Sequence, residues 1–235
     1  MSARSLLVAS LLGLLASPMP PGRAMKKPDE PVTAERMRVT EGKLKPLPGG
    51  RLRIEDPKVR AVVSSSEGPK VQALMAPARA GTQARVEARV AELRFTYLGA
   101  TAEQKPLQSG ELRRQVGLKL RAQDGCNVVY VMWRIEPKAG LVVSMKHNPG
   151  MNRSDDCGNS GYQTVKPRSK TAVPVLEPGA SHTLRAELEG TELRVKVDGE
   201  PVWEGTLPAE ALSFDGPVGL RSDNGRFDVE LLSNP

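Results

Sequence analysis

Three groups of residues in this chain have types and spacings that could do chemistry. Glu187, Glu189 and Glu192 stand within six consecutive positions. Carboxylates so grouped hydrolyse glycosidic bonds when one attacks and another protonates, which requires them to line one cleft. Gly190-Thr191 falls between them and reads as a hairpin turn, which divides the set between two strands. Leu184, Ala186 and Leu188 take the core side, so the glutamates point outward. A second group, Gly158-Asn159-Ser160-Gly161, sets a serine among small residues, and nucleophilic catalysis there would need a histidine base oriented by an acid. His147 lies thirteen positions before that serine and His182 follows it, neither with an acid fixed by a motif. No catalytic residue is assigned.

The third group is polar and suited to binding. Val129, Val131, Trp133 and Ile135 alternate with Tyr130, Met132, Arg134 and Glu136. After the turn Pro137-Lys138-Ala139-Gly140, Leu141, Val143, Met145 and His147 alternate with Val142, Ser144, Lys146 and Asn148. A period of two with one apolar set means strands that cover a core. The opposite face then carries Tyr130, Arg134, Glu136, Ser144, Lys146 and Asn148, where fixed donors beside a ring could hold a sugar. The competing reading is a solvated face with cross-strand ion pairs, such as Arg134 or Lys146 with Glu136. The loop at 148–162 adds Asn152, Asp155, Asn159 and Tyr162. Long polar loops on a rigid sandwich are where binding concentrates. Asp155, Asp156 and Asn159 could also supply oxygen ligands to Ca²⁺, but they lack the regular spacing of a dedicated calcium loop, and no metal or cofactor is assigned.

The elements that must position these residues are strands. Alternation recurs at Val86 to Val90 and again at Val116, Leu118, Leu120 and Ala122, with a phase slip near Ala91 to Leu93 that a bulge would cause. It returns at Leu184, Ala186, Leu188 and at Leu193, Val195, Val197. Gly190-Thr191, Asp198-Gly199 and Asp223-Asn224-Gly225 supply the turn chemistry between them. Ala209 to Leu212 suits one helical turn, and no long amphipathic helix is found. Eight aromatic residues serve the whole chain, so most must be spent on the core; Tyr130 and Tyr162 are the ones to spare for a ligand.

Residues 1–24 read as a secretory signal, with Arg4 ahead of an apolar run at 6–16 too short for an ordinary membrane helix. Cleavage is expected between Ala16 and Ala24, and Gly22-Arg23-Ala24 presents suitable small residues. The protein is expected to be secreted or periplasmic, with no membrane span once processed. Cys126 and Cys157 are then expected to pair, which stabilises the fold by about 3–4 kcal/mol in the chain-entropy view. The formal charge is +7, from 34 basic and 27 acidic residues; export and the absence of a basic helix argue against a nucleic-acid partner. Residues 25–48, rich in proline and charge, are expected as a flexible linker, leaving 49–235 as one domain.

The order of hairpins over about residues 180–232, a strand, Val197-Asp198-Gly199, a short strand, then Gly216-Pro217-Val218-Gly219-Leu220-Arg221-Ser222-Asp223-Asn224 and a last strand, resembles the C-terminal half of concanavalin A-like and laminin G-like jelly rolls. The resemblance implies an all-β, two-sheet antiparallel β-sandwich, and a saccharide site on a concave sheet face or rim loops. The function expected is a secreted, non-catalytic module binding a glycan or glycan-bearing cell-envelope surface. Two alternatives remain: a sugar-processing hydrolase related to the 3-keto-disaccharide hydrolases, which share the sandwich and its ending, and a structural or protein-binding envelope module. The glutamate set matches the spacing of the laminarinase-type motif but has Glu189 where that family has aspartate. The Ser160 loop resembles that of trypsin-like proteases, whose histidine lies far upstream, where this chain has none.

Overall fold

The computed structural model describes residues 30–64 and 89–233; the expected signal peptide and the stretch Val86 to Ala88 lie outside them. The first strands are β1 (Glu30–Pro31), β2 (Met37–Glu41), β3 (Lys45–Pro46), β4 (Leu52–Ile54), β5 (Lys58–Val63), β6 (Arg89–Ala100), β7 (Arg114–Leu120) and β8 (Val128–Glu136). They are followed by β9 (Gly140–Lys146), a short helix α1 (Ser154–Cys157), β10 (Tyr162–Thr164), β11 (Ser169–Lys170) and β12 (Ser181–Glu189). The last are β13 (Glu192–Val197), β14 (Glu200–Thr206), β15 (Gly219–Asp223) and β16 (Gly225–Ser233). Two antiparallel sheets result. One has nine strands in the order β11-β14-β13-β12-β6-β16-β4-β3, with β1 also on β16; the other has seven, β10-β9-β8-β7-β15-β5-β2.

The period-two pattern explains both inner faces. Ala91, Leu93, Phe95, Leu184, Ala186, Leu188, Leu193, Val195 and Phe227 from the nine-stranded sheet meet Val116, Leu118, Val129, Val131, Trp133, Leu141, Val143 and Leu220 from the seven-stranded sheet in one core. Phe95 bridges the layers, edge-on to Trp133 at 5.6 Å and to Phe227 at 5.9 Å. Trp133 is 1% exposed, as its parity requires. The hairpins fall where the turn residues stand. Asp198 and Gly199 both take positive φ, 52° and 88°, the left-handed pair that a tight two-residue hairpin needs. Ala209–Leu212 forms the single helical turn expected, as a 3-10 turn.

Two expectations need correction. Residues 30–48 are part of the sandwich: β1 pairs with β16, β2 with β5 and β3 with β4, and Val32 and Met37 are buried. Strands β2 and β3 are the outer edges of their sheets, where charge and proline are tolerated, so an edge strand has the composition of a linker. The phase slip near Ala91 is not a bulge either. β6 keeps unbroken register with β12 from Arg89 to Thr96; Ala91, Leu93, Phe95 and Tyr97 face the core, while Val90 is buried on the other side.

Candidate functional site

Because the inner face of the seven-stranded sheet is apolar, its outer face collects the alternate residues of its seven strands. The pairing sets them in rows. Lys119 on β7 lies between Tyr130 on β8 and Gly219 on β15, and Arg221 on β15 lies between Gly117 on β7 and Arg60 on β5. Gln115 on β7 stands between Arg134 on β8 and Asp223 on β15. A glycine thus stands beside each of two cations, Gly219 beside Lys119 and Gly117 beside Arg221. At Gly117 a side chain cannot be added, since a Cβ would sit 2.1 Å from the Val131 carbonyl oxygen. Over this face lies a concavity of about 840 Å³, within the range of small-molecule sites. The segment after β6, including Leu107, Glu111 and Arg113, contributes to its lining, as do β2 and β10 and the disulfide-tied loop through Asn152, Arg153, Asp155 and Asn159.

The loop is held by a dense set of local bonds. Cys126 and Cys157 form a disulfide with their Cα atoms 6.0 Å apart. Asp124 Oδ1 accepts from the backbone N–H groups of Cys126 (2.7 Å) and Asn127 (2.8 Å), and Asn127 Nδ2 donates to the Met151 carbonyl at 3.0 Å. Asn148 Nδ2 donates to the carbonyls of Cys126 and Ser160. Lys146 Nζ donates to the Gly158 carbonyl at 2.7 Å and lies 5.2 Å from the centre of the Tyr162 ring.

Of the nine residues read from the sequence as a site, seven line the concavity: Tyr130, Arg134, Lys146, Asn152, Asp155, Asn159 and Tyr162. Glu136 and Asn148 do not. Glu136 sits at the end of β8 with its carboxylate on Arg114 Nη1 at 3.1 Å, and Asn148 is spent on the loop. The expected face is also less open than its parity implies, because the Tyr162 and Arg221 side chains pack on Tyr130 and the disulfide-tied loop lines the concavity. Tyr130 is 5% exposed, stacked against Tyr162 with ring centres 6.1 Å apart, and Arg221 covers it at 4.9 Å. Burial pushes the Tyr130 phenol up to about 12. Tyr162 is the only aromatic side chain left exposed among the described residues.

Sequence reading missed the floor of the site, Lys119, Arg60, Arg221 and Gln115. The signal was present, since Lys119 shares outward parity with Gly117 and Arg121, but which strands lie side by side is not legible locally. Asp223 is fully buried beneath the arginines; it accepts from Gln115 Nε2 at 2.7 Å, Arg221 Nε at 2.8 Å and Arg60 Nη2. Burial alone would raise this carboxyl, but Arg221 and Arg60 hold it well below the usual carboxylate range. Lys119 is different. It is 5% exposed and no acceptor bonds its ammonium among the described residues. Burial, joined by the charges of Arg60, Arg221 and Arg38, pushes it down to about 8. Arg134 likewise has no hydrogen-bond partner there, and its Nε is buried.

The remaining motifs lie elsewhere. Glu187 is on β12 and Glu192 on β13, on the outer face of the nine-stranded sheet; Glu187 accepts from Arg185 and Lys196, and Glu192 from Thr206 and Arg168. His182 does have an acid, Asp198 at 2.7 Å, brought by the β12–β13 pairing, and it packs on Trp133 at the end of the core. His147 meets Ser213, not Ser160, at 3.0 Å, and the Ser213 hydroxyl donates to the Glu210 carbonyl. Among the described residues no three His, Cys, Asp or Glu side chains are grouped to hold a metal, and no helix is long and apolar enough to cross a membrane.

Two antiparallel sheets packed face to face, with a polar concavity over the outside of one, define a concanavalin A-like jelly-roll sandwich. No protein-family model matches the sequence, and no curated protein matches it. Among solved structures the chain is similar to the carbohydrate-binding module CBM66 from Bacillus subtilis, at 13% identity and a TM-score of 0.51, over 83% of this chain and 91% of that one. It is also similar to the carbohydrate recognition domain of Emp46p in its metal-free form, at 13% identity and a TM-score of 0.49, over 85% of this chain and 88% of that one. Likeness at this identity concerns the fold, since one fold hosts many functions.

Proposed function

We propose that this protein is an exported, non-catalytic sandwich that binds a saccharide in the concavity over its seven-stranded sheet. One observation carries the reading: polar groups converge on that concavity without protein partners. The Lys119 ammonium has no acceptor among the described residues, the buried Nε donors of Arg113 and Arg134 are unpaired, and the buried Gln115 Oε1 is an acceptor without a donor. Buried polar groups are normally hydrogen-bonded, so a set left unpaired in one cavity is what a ligand rich in oxygen would complete. Tyr162, half-open at the rim, offers a ring face for a sugar. The carbohydrate-binding structures that share the fold support the same choice. The Cys126–Cys157 disulfide supports an oxidising compartment outside the cytosol.

Titration of the purified protein with defined oligosaccharides, alone and as the Arg134→Ala variant, tests this. Binding that weakens by about 1–3 kcal/mol in the variant is expected, the range for a charge-assisted hydrogen bond. Affinity unchanged in Arg134→Ala, or turnover of the oligosaccharide, would contradict the reading; turnover would favour the hydrolase alternative.

A further inference from the structure

We infer that the saccharide taken by this concavity is acidic, with an anionic group on the sugar placed against Lys119 or Arg134. This rests on the saccharide reading above and goes beyond it by fixing the ligand's charge. The lining holds nine arginine and lysine side chains against four aspartates and glutamates, in a chain whose whole excess is +7. The positive excess of the molecule is therefore gathered largely at one place. Clefts lined by one sign of charge focus the field and raise the local concentration of the opposite ion.

The arrangement within the lining says more than the count. Asp223 compensates Arg221 and Arg60 from below, and Glu111 takes Arg113. Lys146 is spent on the Gly158 carbonyl and the Tyr162 ring. Lys119 and Arg134 remain. Both are on the floor, on the adjacent strands β7 and β8, and neither has a hydrogen bond or ion pair to a carboxylate among the described residues; Asp124 and Glu111 act on them only from beyond ion-pair distance. Burying a cation without a partner is costly, and a neutral hydroxyl repays little of that cost, whereas a carboxylate or sulfate oxygen repays most of it. Gly219 on β15 stands beside Lys119, and the β15 side chain that acts on its ammonium is another cation, Arg221. A neutral sugar would leave this cluster of like charges uncompensated.

Calorimetric titration of the full chain tests the inference. The ligands are oligogalacturonate, alginate-derived and hyaluronan oligosaccharides for carboxylates, heparin-derived ones for sulfates, and the carboxyl-reduced form of each uronate series. An oligothymidylate and vesicles containing phosphatidylglycerol complete the set. At least one acidic series is expected to bind, with affinity falling as salt is raised. Its carboxyl-reduced or desulfated counterpart should bind about ten-fold or more weakly, and Lys119→Met and Arg134→Gln should each cost roughly ten- to a hundred-fold, the range for hydrogen bonds to charged groups. Uronate against sulfate then separates the two anions. If neutral or reduced oligosaccharides bind as tightly as acidic ones, or if Lys119→Met binds the acidic series as the parent does, the inference falls while the saccharide reading stands. If no saccharide binds, both fall. Both also fall if the oligothymidylate or the vesicles bind more tightly than every acidic series and depend on Lys119 in the same way.

Discussion

The outer faces of the two sheets are both rich in charge, and they treat it in opposite ways. On the nine-stranded sheet the charges are matched across neighbouring strands. Arg185 bridges Glu92 and Glu187 at 3.0 Å each, Lys196 meets Glu187 at 3.2 Å, Arg94 meets Glu92 and Glu230, and Arg53 meets Asp228 at 2.7 Å. These pairs sit at or near solvent, where ion pairs contribute little each and mainly fix register and solubility. On the seven-stranded sheet, cations line the floor of the concavity, and two of them, Lys119 and Arg134, have no hydrogen bond or ion pair among the described residues. A solvated face has no reason to be built that way. The difference separates a surface whose task is structural from one whose polar groups await something.

Several substitutions would break that comparison or sharpen it. The largest effect is expected from Asp223→Asn, which removes the one carboxylate buried under Arg221 and Arg60 and leaves two cations uncompensated. Chemical denaturation should show a loss of about 3–5 kcal/mol, as for other broken buried pairs. A variant as stable as the parent would mean the arginines are far better hydrated than their burial indicates.

Lys119→Met should act in the opposite direction. The folded state lowers the ammonium from 10.5 to about 8, so below pH 8 the folded protein bears the full cost of a charge it disfavours. Removing that charge should stabilise the protein at pH 7 by roughly 2–3 kcal/mol, while weakening any anion bound there. By the same linkage the parent's stability should rise, on account of this group, as pH climbs from about 8 towards 10.5, because the unfolded chain then holds a proton that the folded one has lost. A destabilised Lys119→Met at pH 7 would place Lys119 among structural residues.

A smaller effect concerns pH and affinity. Lys119 is faced by Arg60 on β5, Arg221 on β15, Arg38 on β2, Tyr130 on β8 and Asp124 before β8. Raising pH from 7 to 9 deprotonates Lys119, and affinity for an acidic oligosaccharide should fall about five- to ten-fold. Burial raises the Tyr162 phenol, but Arg221 and Lys146 draw it below its ordinary value. Affinity that is flat over this range would remove Lys119 from the site. The smallest effect is expected from Glu187→Gln on the matched face: under about 1 kcal/mol by thermal denaturation, and no change in saccharide affinity.

The two faces also differ in how far they could be read from the sequence. The core was legible residue by residue, because period two and turn chemistry are local signals; Trp133 and Gly199 stand where those signals put them. The Cys126–Cys157 pair was legible from their number and an expected export. Most of the loop side of the concavity was legible too, since Asn152, Asp155, Asn159 and Tyr162 lie in one polar run. Its floor was not. Lys119, Arg221 and Arg60 come from strands β7, β15 and β5, and only sheet order brings them together. Parity also cannot tell an open face from a covered one: Tyr130 and Lys146 have outward parity but are buried, Tyr130 under Tyr162 and Arg221, and Lys146 against Tyr162 and the Gly158 carbonyl. Edge strands β2 and β3 were hidden by the charge and proline that protect such edges.

A crystal structure of the protein soaked with the tightest-binding acidic oligosaccharide would test the central claim most directly. The account predicts the sugar over the seven-stranded sheet, with an anionic oxygen within hydrogen-bond distance of Lys119 Nζ or the Arg134 guanidinium and a ring against Tyr162. A sugar seated on the nine-stranded sheet, or one in the concavity whose acidic group points to solvent away from both cations, would contradict it.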